Sequence, residues 1–176
     1  MIDFRPYTPA DHDAVRSLFI AVNRSLATPA MKDAFEHYIQ HALVEEIDRL
    51  EDYYVERDGC FVIATRGREL AGMFGLERVA PDAMELRRNY VAPTMRRLGI
   101  GRTMLRHAET LAVARGAAKM ALSTSELQPA ALALYRACGF IETGTEIAEV
   151  VTNKTVGASL RRFYFQKPLD RPVTPR

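Results

Sequence analysis

One stretch of the chain, Tyr90-Val91-Ala92-Pro93-Thr94-Met95-Arg96-Arg97-Leu98-Gly99-Ile100-Gly101-Arg102, constrains its fold more than any other. It leads from an apolar strand, through a proline, into two glycines at the start of an amphipathic helix. A helix N-terminus leaves backbone N–H groups unpaired and carries partial positive charge, so it is an anion site by construction. Glycine at that point lets a phosphate approach the backbone. Two familiar nucleotide loops are excluded. A dinucleotide fingerprint needs a third glycine where Met104 stands and an acid at the end of the next strand, where Ser123 and Thr124 stand. A P-loop needs Gly-Lys-Ser/Thr, which the sequence lacks.

Charge supports a phosphate ligand. The net charge is only +2, too small for a general nucleic-acid or membrane binder. Six arginines (Arg87, Arg88, Arg96, Arg97, Arg102 and Arg106) nevertheless fall between Leu86 and His107 with no Asp or Glu among them, leaving 2 − 6 = −4 for the rest. Arginine suits phosphate because its donor fork is always charged and weakly hydrated. The competing reading is a solvated basic helix face. The 176 residues are the length of one domain, and 48% hydrophobic with 26% charged residues is an ordinary globular composition. No run approaches a membrane span, the first residues do not read as a signal peptide, and Cys60 and Cys138 form no metal or disulfide pattern. A cytoplasmic location is the expectation.

Periodicity gives the order of elements. Residues 2–5 alternate as a strand, and Thr8-Pro9-Ala10-Asp11 offers an N-cap, a proline at N1 and an acid at N3. Two helices follow. Ala14, Val15, Leu18, Phe19 and Val22 line the first; Phe35, Tyr38, Ile39, Ala42, Leu43 and Ile47 line the second, expected over about residues 30–50. Residues 61–64, 70–79 and 84–91 read as strands of an antiparallel meander. A helix over 99–115 stops at Gly116, 119–124 is a strand, a helix runs from Pro129 to Gly139, and 140–151 and 160–166 are closing strands. These elements make one α/β domain over residues 1–169, with 170–176 expected to be a disordered tail.

The arrangement Arg96-x-x-Gly99-x-Gly101, preceded by Val91-Ala92-Pro93 and followed by a helix, resembles the pyrophosphate signature of the GNAT superfamily of acetyl-CoA-dependent N-acetyltransferases. The resemblance continues in Gln128-Pro129-Ala130-Ala131-Leu132-Ala133-Leu134-Tyr135-Arg136-Ala137-Cys138-Gly139-Phe140, which is similar to the family's N-x-x-A-x-x-L-Y-x-x-x-G-F segment, with Gln128 where many members carry Asn. It implies an α/β (α+β) fold with a central mixed, mostly antiparallel sheet of about seven strands flanked by about four helices. It also implies acetyl-CoA as cosubstrate, an amine acceptor, and no metal. The cofactor residues so implied are Tyr90 and Val91 along the pantetheine arm, Arg96, Arg97, Leu98, Gly99, Ile100, Gly101, Arg102 and Thr103 around the phosphates, and Gln128. The loop donates backbone N–H groups while Leu98 and Ile100 pack, and which arginine meets which phosphate is left open.

Acetyl transfer to an amine needs a neutral nucleophile, a stabilised oxyanion and a protonated leaving thiolate. An amine of pKa about 10.4 is neutral on the order of one part in a thousand near pH 7, so a base is needed. Glu85 and Glu77 are the candidates, with Glu85 the better family match; a cross-strand partner for arginine is the plainer role for each. A backbone N–H near Val91 meets the oxyanion, and Tyr135 is the candidate acid for the thiolate. An apolar helix face makes a purely structural Tyr135 the alternative.

Other groups are less specific. His37, His41 and Glu45 have helical spacing but no assured third ligand. Ser123, Thr124 and Ser125 suit capping of the helix at Pro129. Cys138 reads as a buried inert thiol, which favours direct transfer in a ternary complex over an acetyl-cysteine route. The acceptor is a small molecule or a peptide, and two subunits could pair through a sheet edge. A non-catalytic acyl-CoA sensor or partner-binding module is the reading from another class, and a basic patch binding RNA a third.

Overall fold

Short turns dictate the first half of the sheet. Gly67, at φ +62, closes β2 (Cys60–Arg66) onto β3 (Glu69–Ala80), and Pro81-Asp82 closes β3 onto β4 (Ala83–Val91). The computed structural model describes residues 1–170. Within them, β1 (Asp3–Pro6), β5 (Lys119–Ser125), β6 (Ile141–Ala148) and β7 (Leu160–Pro168) complete a seven-stranded sheet in the order β1-β2-β3-β4-β5-β7-β6. Every neighbouring pair is antiparallel except β4 and β5, the mixed, mostly antiparallel sheet that the sequence implies. The helices are α1 (His12–Leu26), α2 (Lys32–Glu45), α3 (Leu50–Val55), α4 (Ile100–Ala114) and α5 (Pro129–Ala137). Val15 and Phe19 of α1, Ile39 of α2, Phe74 and Leu76 of β3, and Met104 and Leu105 of α4 are buried in one continuous core. The expected tail lies, save Asp170, outside the described residues.

Local signals behave as their chemistry predicts. Thr8 and Asp11 form the capping box, with Thr8 N–H donating to Asp11 Oδ2 at 2.9 Å, and the Arg5 fork grips the same carboxylate at 2.6 and 2.7 Å. Gly116, at φ +82, ends α4. One expectation fails: residues 30–50 are not a single helix. The chain leaves helical geometry at Glu46 (φ −134, ψ −60), passes through a 3-10 turn over Ile47–Arg49 and resumes as α3. Periodicity misses the break because its cause is remote: Glu46 turns inward to meet two arginines from β4.

The irregular feature that places the site lies in β4. Arg87 pairs with Gly75 and Tyr90 with Met73, so Arg88 and Asn89 together face Phe74 alone, and Arg88 sits in the left-handed region at φ +53. This is a β-bulge, which bends a strand and re-aims its side chains. On its other side β4 pairs with β5 only over Ala83–Leu86 against Lys119–Leu122, while β5 continues on β7 to Ser125. From Arg87 and Ser123 onward the two central strands therefore diverge.

Candidate active site between the splayed strands

A cavity of about 640 Å³ fills this divergence, lined by Glu85–Val91 of β4, Ser123–Ser125 of β5, the loop before α4, and Gln128, Leu134 and Tyr135 at α5. At one end stands the glycine loop. Arg97 (φ +64) and Gly99 (φ +76) are left-handed, which turns the chain into α4 at Ile100; Gly99 has open space around its missing Cβ, so conformation and not room requires glycine there. A Cβ on Gly101 would come within 3.3 Å of Leu134 and 3.7 Å of Val91, so glycine keeps this side of the cavity wide. Arg96, Arg97 and Arg102 are exposed, line the cavity and form no ion pair among the described residues. An anion at the start of α4 would meet free N–H groups and three cations.

Not every expected residue joins them. Ile100 packs, at 4% exposure, but Leu98 points outward at 58%, and neither Leu98 nor Thr103 lines the cavity; the Thr103 hydroxyl donates back to the Gly99 carbonyl at 3.3 Å. The loop's left-handed turn at Arg97 carries Leu98 away from the core that its apolar side chain suggested. Gln128 is the N-cap residue of α5 and lines the cavity, its Oε1 accepting the Thr124 hydroxyl at 2.5 Å. The Ser123 hydroxyl accepts from Arg162 at 2.5 Å, so neither it nor Thr124 caps α5 as the sequence suggested.

Tyr135, 6% exposed, belongs to the core and also lines the cavity. Its ring lies 5.9 Å from that of Phe140 and 6.2 Å from that of Phe165, while its hydroxyl accepts a 3.4 Å hydrogen bond from Asn89 Nδ2. Burial pushes the phenol above its ordinary pKa, and the Asn89 bond opposes that shift.

The basic cluster of the sequence divides in two. Arg87 and Arg88 are not part of the exposed group at the start of α4. Both are buried, and both reach Glu46 Oε2, at 2.7 and 2.6 Å. Neighbours in a regular strand point to opposite faces; the bulge is what turns these two to one carboxylate. Arg88 also donates to Tyr38 Oη, and Arg87 to Tyr53 Oη and, at 3.0 Å, to Glu77 Oε2. Glu46 is wholly buried; burial raises its pKa, but the charges of Arg88 and Arg87 prevail and hold it below the ordinary range. Burial likewise pushes up Glu77, yet Arg87 and Lys154 prevail and hold it at about 2.

Glu85 and Glu77 lie directly opposite on β4 and β3, bridged by the ammonium of Lys154, which donates to Glu77 Oε1 at 2.7 Å and Glu85 Oε2 at 2.6 Å. Glu85 lines the cavity; Glu77 is set behind it. Lys154 comes from the link between β6 and β7, whose Asn153 carbonyl accepts from Arg87 and Arg88 and whose Lys154 carbonyl accepts from Arg162. Asn89, Lys154 and Arg162, which line the cavity, and Glu46, which lies buried behind Arg87 and Arg88, were not singled out by sequence reasoning. The one signal available was two consecutive arginines inside an apolar strand. His41 pairs with Glu45 at 3.0 Å, and no group of three or more potential metal ligands occurs among the described residues. Cys138 is half-buried at the end of α5, more accessible than expected.

This architecture is a known one. Residues 24–140 match the family described as the acetyltransferase (GNAT) family, and the chain belongs to it. N-acetyltransferase family 8 member 3 of Rattus norvegicus is 35% identical over 109 residues, covering 59% of this chain and 47% of that protein. The chain thus spans about half the length of the curated relatives it matches. A GNAT-family acetyltransferase from Staphylococcus aureus Mu50 superposes with a TM-score of 0.73 at 16% identity, covering 97% of this chain and all of that one. The structure of yncA from Salmonella typhimurium with its cofactor acetyl-CoA does so with a TM-score of 0.71 at 18% identity, covering 100% and 98%. No helix among the described residues is long and apolar enough to cross a membrane.

Proposed function

We propose that the chain transfers an acetyl group from acetyl-CoA to the primary amine of a small molecule or peptide, directly, in a ternary complex. The observation that carries this reading is the cavity between β4 and β5, which joins the α4 anion site to a buried tyrosine hydroxyl and a carboxylate. In this reading the N–H groups around Arg97–Arg102 take the pyrophosphate, Arg96, Arg97 and Arg102 neutralise it, and pantetheine lies along Tyr90 and Val91 where β5 has left β4. Thr103 supports the loop, and Gln128 borders the thioester end. Val91 supplies the oxyanion N–H.

Tyr135 protonates the departing thiolate. A phenol of pKa about 10 is a weaker acid than a thiol of about 8.5, so the transfer is partial and serves the transition state. Glu85 is favoured over Glu77 as base, because Glu85 borders the cavity whereas Glu77, held at about 2, has little tendency to take a proton. For Glu85 to act, the Lys154 ammonium must yield to the acceptor's nitrogen or to a water beside it.

The test is release of free thiol from acetyl-CoA against pooled primary amines, with a no-acceptor control and a calorimetric titration of acetyl-CoA. Release above the control with one pool is the expected result. Tight binding with no release from any pool favours an acyl-CoA sensor, and absence of binding overturns the reading.

A further inference from the structure

Asn89 stands on the bulge of β4 with its side chain against the Tyr135 hydroxyl, and its two polar atoms are in opposite states. Nδ2 donates to Tyr135 Oη at 3.4 Å; Oδ1 is buried and has no partner among the described residues. An unpaired buried carbonyl costs more than one long hydrogen bond returns. Leucine, of the same branched outline, would remove that cost and give up only the one long bond to the Tyr135 hydroxyl. Asn89 therefore does not serve stability, and it lines the cavity beside the one hydroxyl assigned a chemical task.

We propose that Asn89 is a positioning residue that acts through Tyr135, occupying a lone pair of the phenol so that its O–H is aimed at the sulfur of the bound thioester. The inference rests on the acid role of Tyr135 given above. A phenol oxygen has one hydrogen and free acceptor capacity, and its rotor settles where the best acceptor lies. If Asn89 offered an acceptor, the phenol would spend its hydrogen there. With Nδ2 as donor, the hydrogen is left for the cavity. As the amine nitrogen bonds the acetyl carbon and the C–S bond breaks, the electron pair passes to sulfur and the Tyr135 proton follows it. The N–H proton of the acetylated amine goes to a carboxylate or water, and solvent returns a proton to the phenolate. The donor bond also stabilises that transient phenolate, in keeping with its direction of effect on the phenol.

The bulge explains how the contact arises. Arg88 in the left-handed region puts both arginines on Glu46 and leaves Asn89 as the next residue, facing away from the ion cluster and toward α5. One backbone irregularity thus sets the buried charge cluster and the orientation of Asn89 together.

The experiment is a double-mutant cycle of Asn89→Leu and Tyr135→Phe, with three readouts. Turnover of acetyl-CoA is followed with the primary amine that reacts fastest in the pooled assay, the melting temperature is recorded, and the Cζ resonance of Tyr135 is observed in 13C-tyrosine protein with CoA bound. Asn89→Leu is expected to lower kcat about tenfold, the loss of one hydrogen bond made to the transition state. KM for acetyl-CoA and the melting temperature stay level or the latter rises, and the Tyr135 resonance moves. In the Tyr135→Phe background the same substitution has no further effect on kcat. A drop in melting temperature with unchanged kcat and an unmoved resonance overturns the proposal, since that is a purely structural asparagine. Equal slowing in both backgrounds also overturns it, because Asn89 then acts independently of the phenol. A Tyr135→Phe enzyme of full activity sinks the acid assignment itself, an outcome distinct from the other two. If no amine reacts, the resonance and melting temperature alone decide.

Discussion

Three residues carry the most consequence, and their buried settings say how each responds to change. For Tyr135, loss of the hydroxyl leaves the ring contacts with Phe140 and Phe165 intact, so Tyr135→Phe removes chemistry and little packing. General acid catalysis contributes about 10²–10⁴-fold, and a fall of at least 10²-fold in kcat with unchanged calorimetric affinity for acetyl-CoA is expected. Equal loss of rate and affinity would instead place the hydroxyl in cofactor binding. Glu46 is the second. Truncating it to alanine strands Arg87 and Arg88 without their shared carboxylate, and breaking a buried ion pair in this way costs about 3–5 kcal/mol. Urea denaturation of Glu46→Ala should show a loss of that size; a change under 1 kcal/mol would mean that the arginines find water. Glu77 is the third, and it makes stability depend on pH. Its folded pKa of about 2 lies below the ordinary 4.5, so the unfolded chain takes up the proton first as pH falls. The stabilisation, on the order of 3 kcal/mol, is whole above about pH 5 and is lost progressively toward pH 2. Urea midpoints measured from pH 7 to pH 3 should decline, and Glu77→Gln should flatten the part of that decline due to this group.

Elements report what sequence can and cannot reveal. The glycine loop, the strand before it and α4 were legible because their signals are local: a proline, two glycines and a helical apolar stripe within a few turns. The capping box at Thr8 and Asp11 was legible for the same reason. The break at Glu46 was not, since residues 35–47 keep an apolar period while the cause of the break lies about 40 residues on, in β4. Likewise six clustered arginines looked like one phosphate patch, but a bulge invisible to periodicity sends Arg87 and Arg88 inward and leaves Arg96, Arg97 and Arg102 outside. Lys154 was not legible as a residue of the cavity because nothing in its neighbours announces two carboxylates from β3 and β4. The loop also yields a test at its own scale. Gly99→Ala must hold a Cβ at φ +76, where an L residue is disfavoured by about 1–2 kcal/mol, although nothing stands within 4 Å to clash. Its expected effect is a stability loss of about 1 kcal/mol in urea together with weaker acetyl-CoA binding. A stable variant with unchanged binding would mean that the left-handed turn is dispensable.

At the scale of the molecule, the sheet is two antiparallel groups, β1–β4 and β5–β7, that meet only through the four parallel pairs Ala83–Leu86 with Lys119–Leu122. Beyond that seam the halves are joined by side chains, through Asn89 with Tyr135 and the Lys154 bridge to Glu85. A ligand lying in the cleft would replace the missing backbone ladder. Its binding must therefore stabilise the fold as a whole and the two diverging strands most of all. For CoA at 100 times its Kd, mass action adds about 2.7 kcal/mol. For a chain of this length that corresponds to a rise in melting temperature of roughly 5–10 °C. Hydrogen exchange locates the effect: amides of residues 87–91 and 97–103 should slow by the largest factor on adding CoA, and those of β1 and β6 by the least. Because the arginines at the mouth are exposed and form no ion pair among the described residues, CoA affinity should also weaken as salt rises, and dephospho-CoA, which lacks one anionic group, should show a shallower salt dependence. Uniform protection across the sheet, with no preference for the diverging strands, would place CoA somewhere other than the cleft.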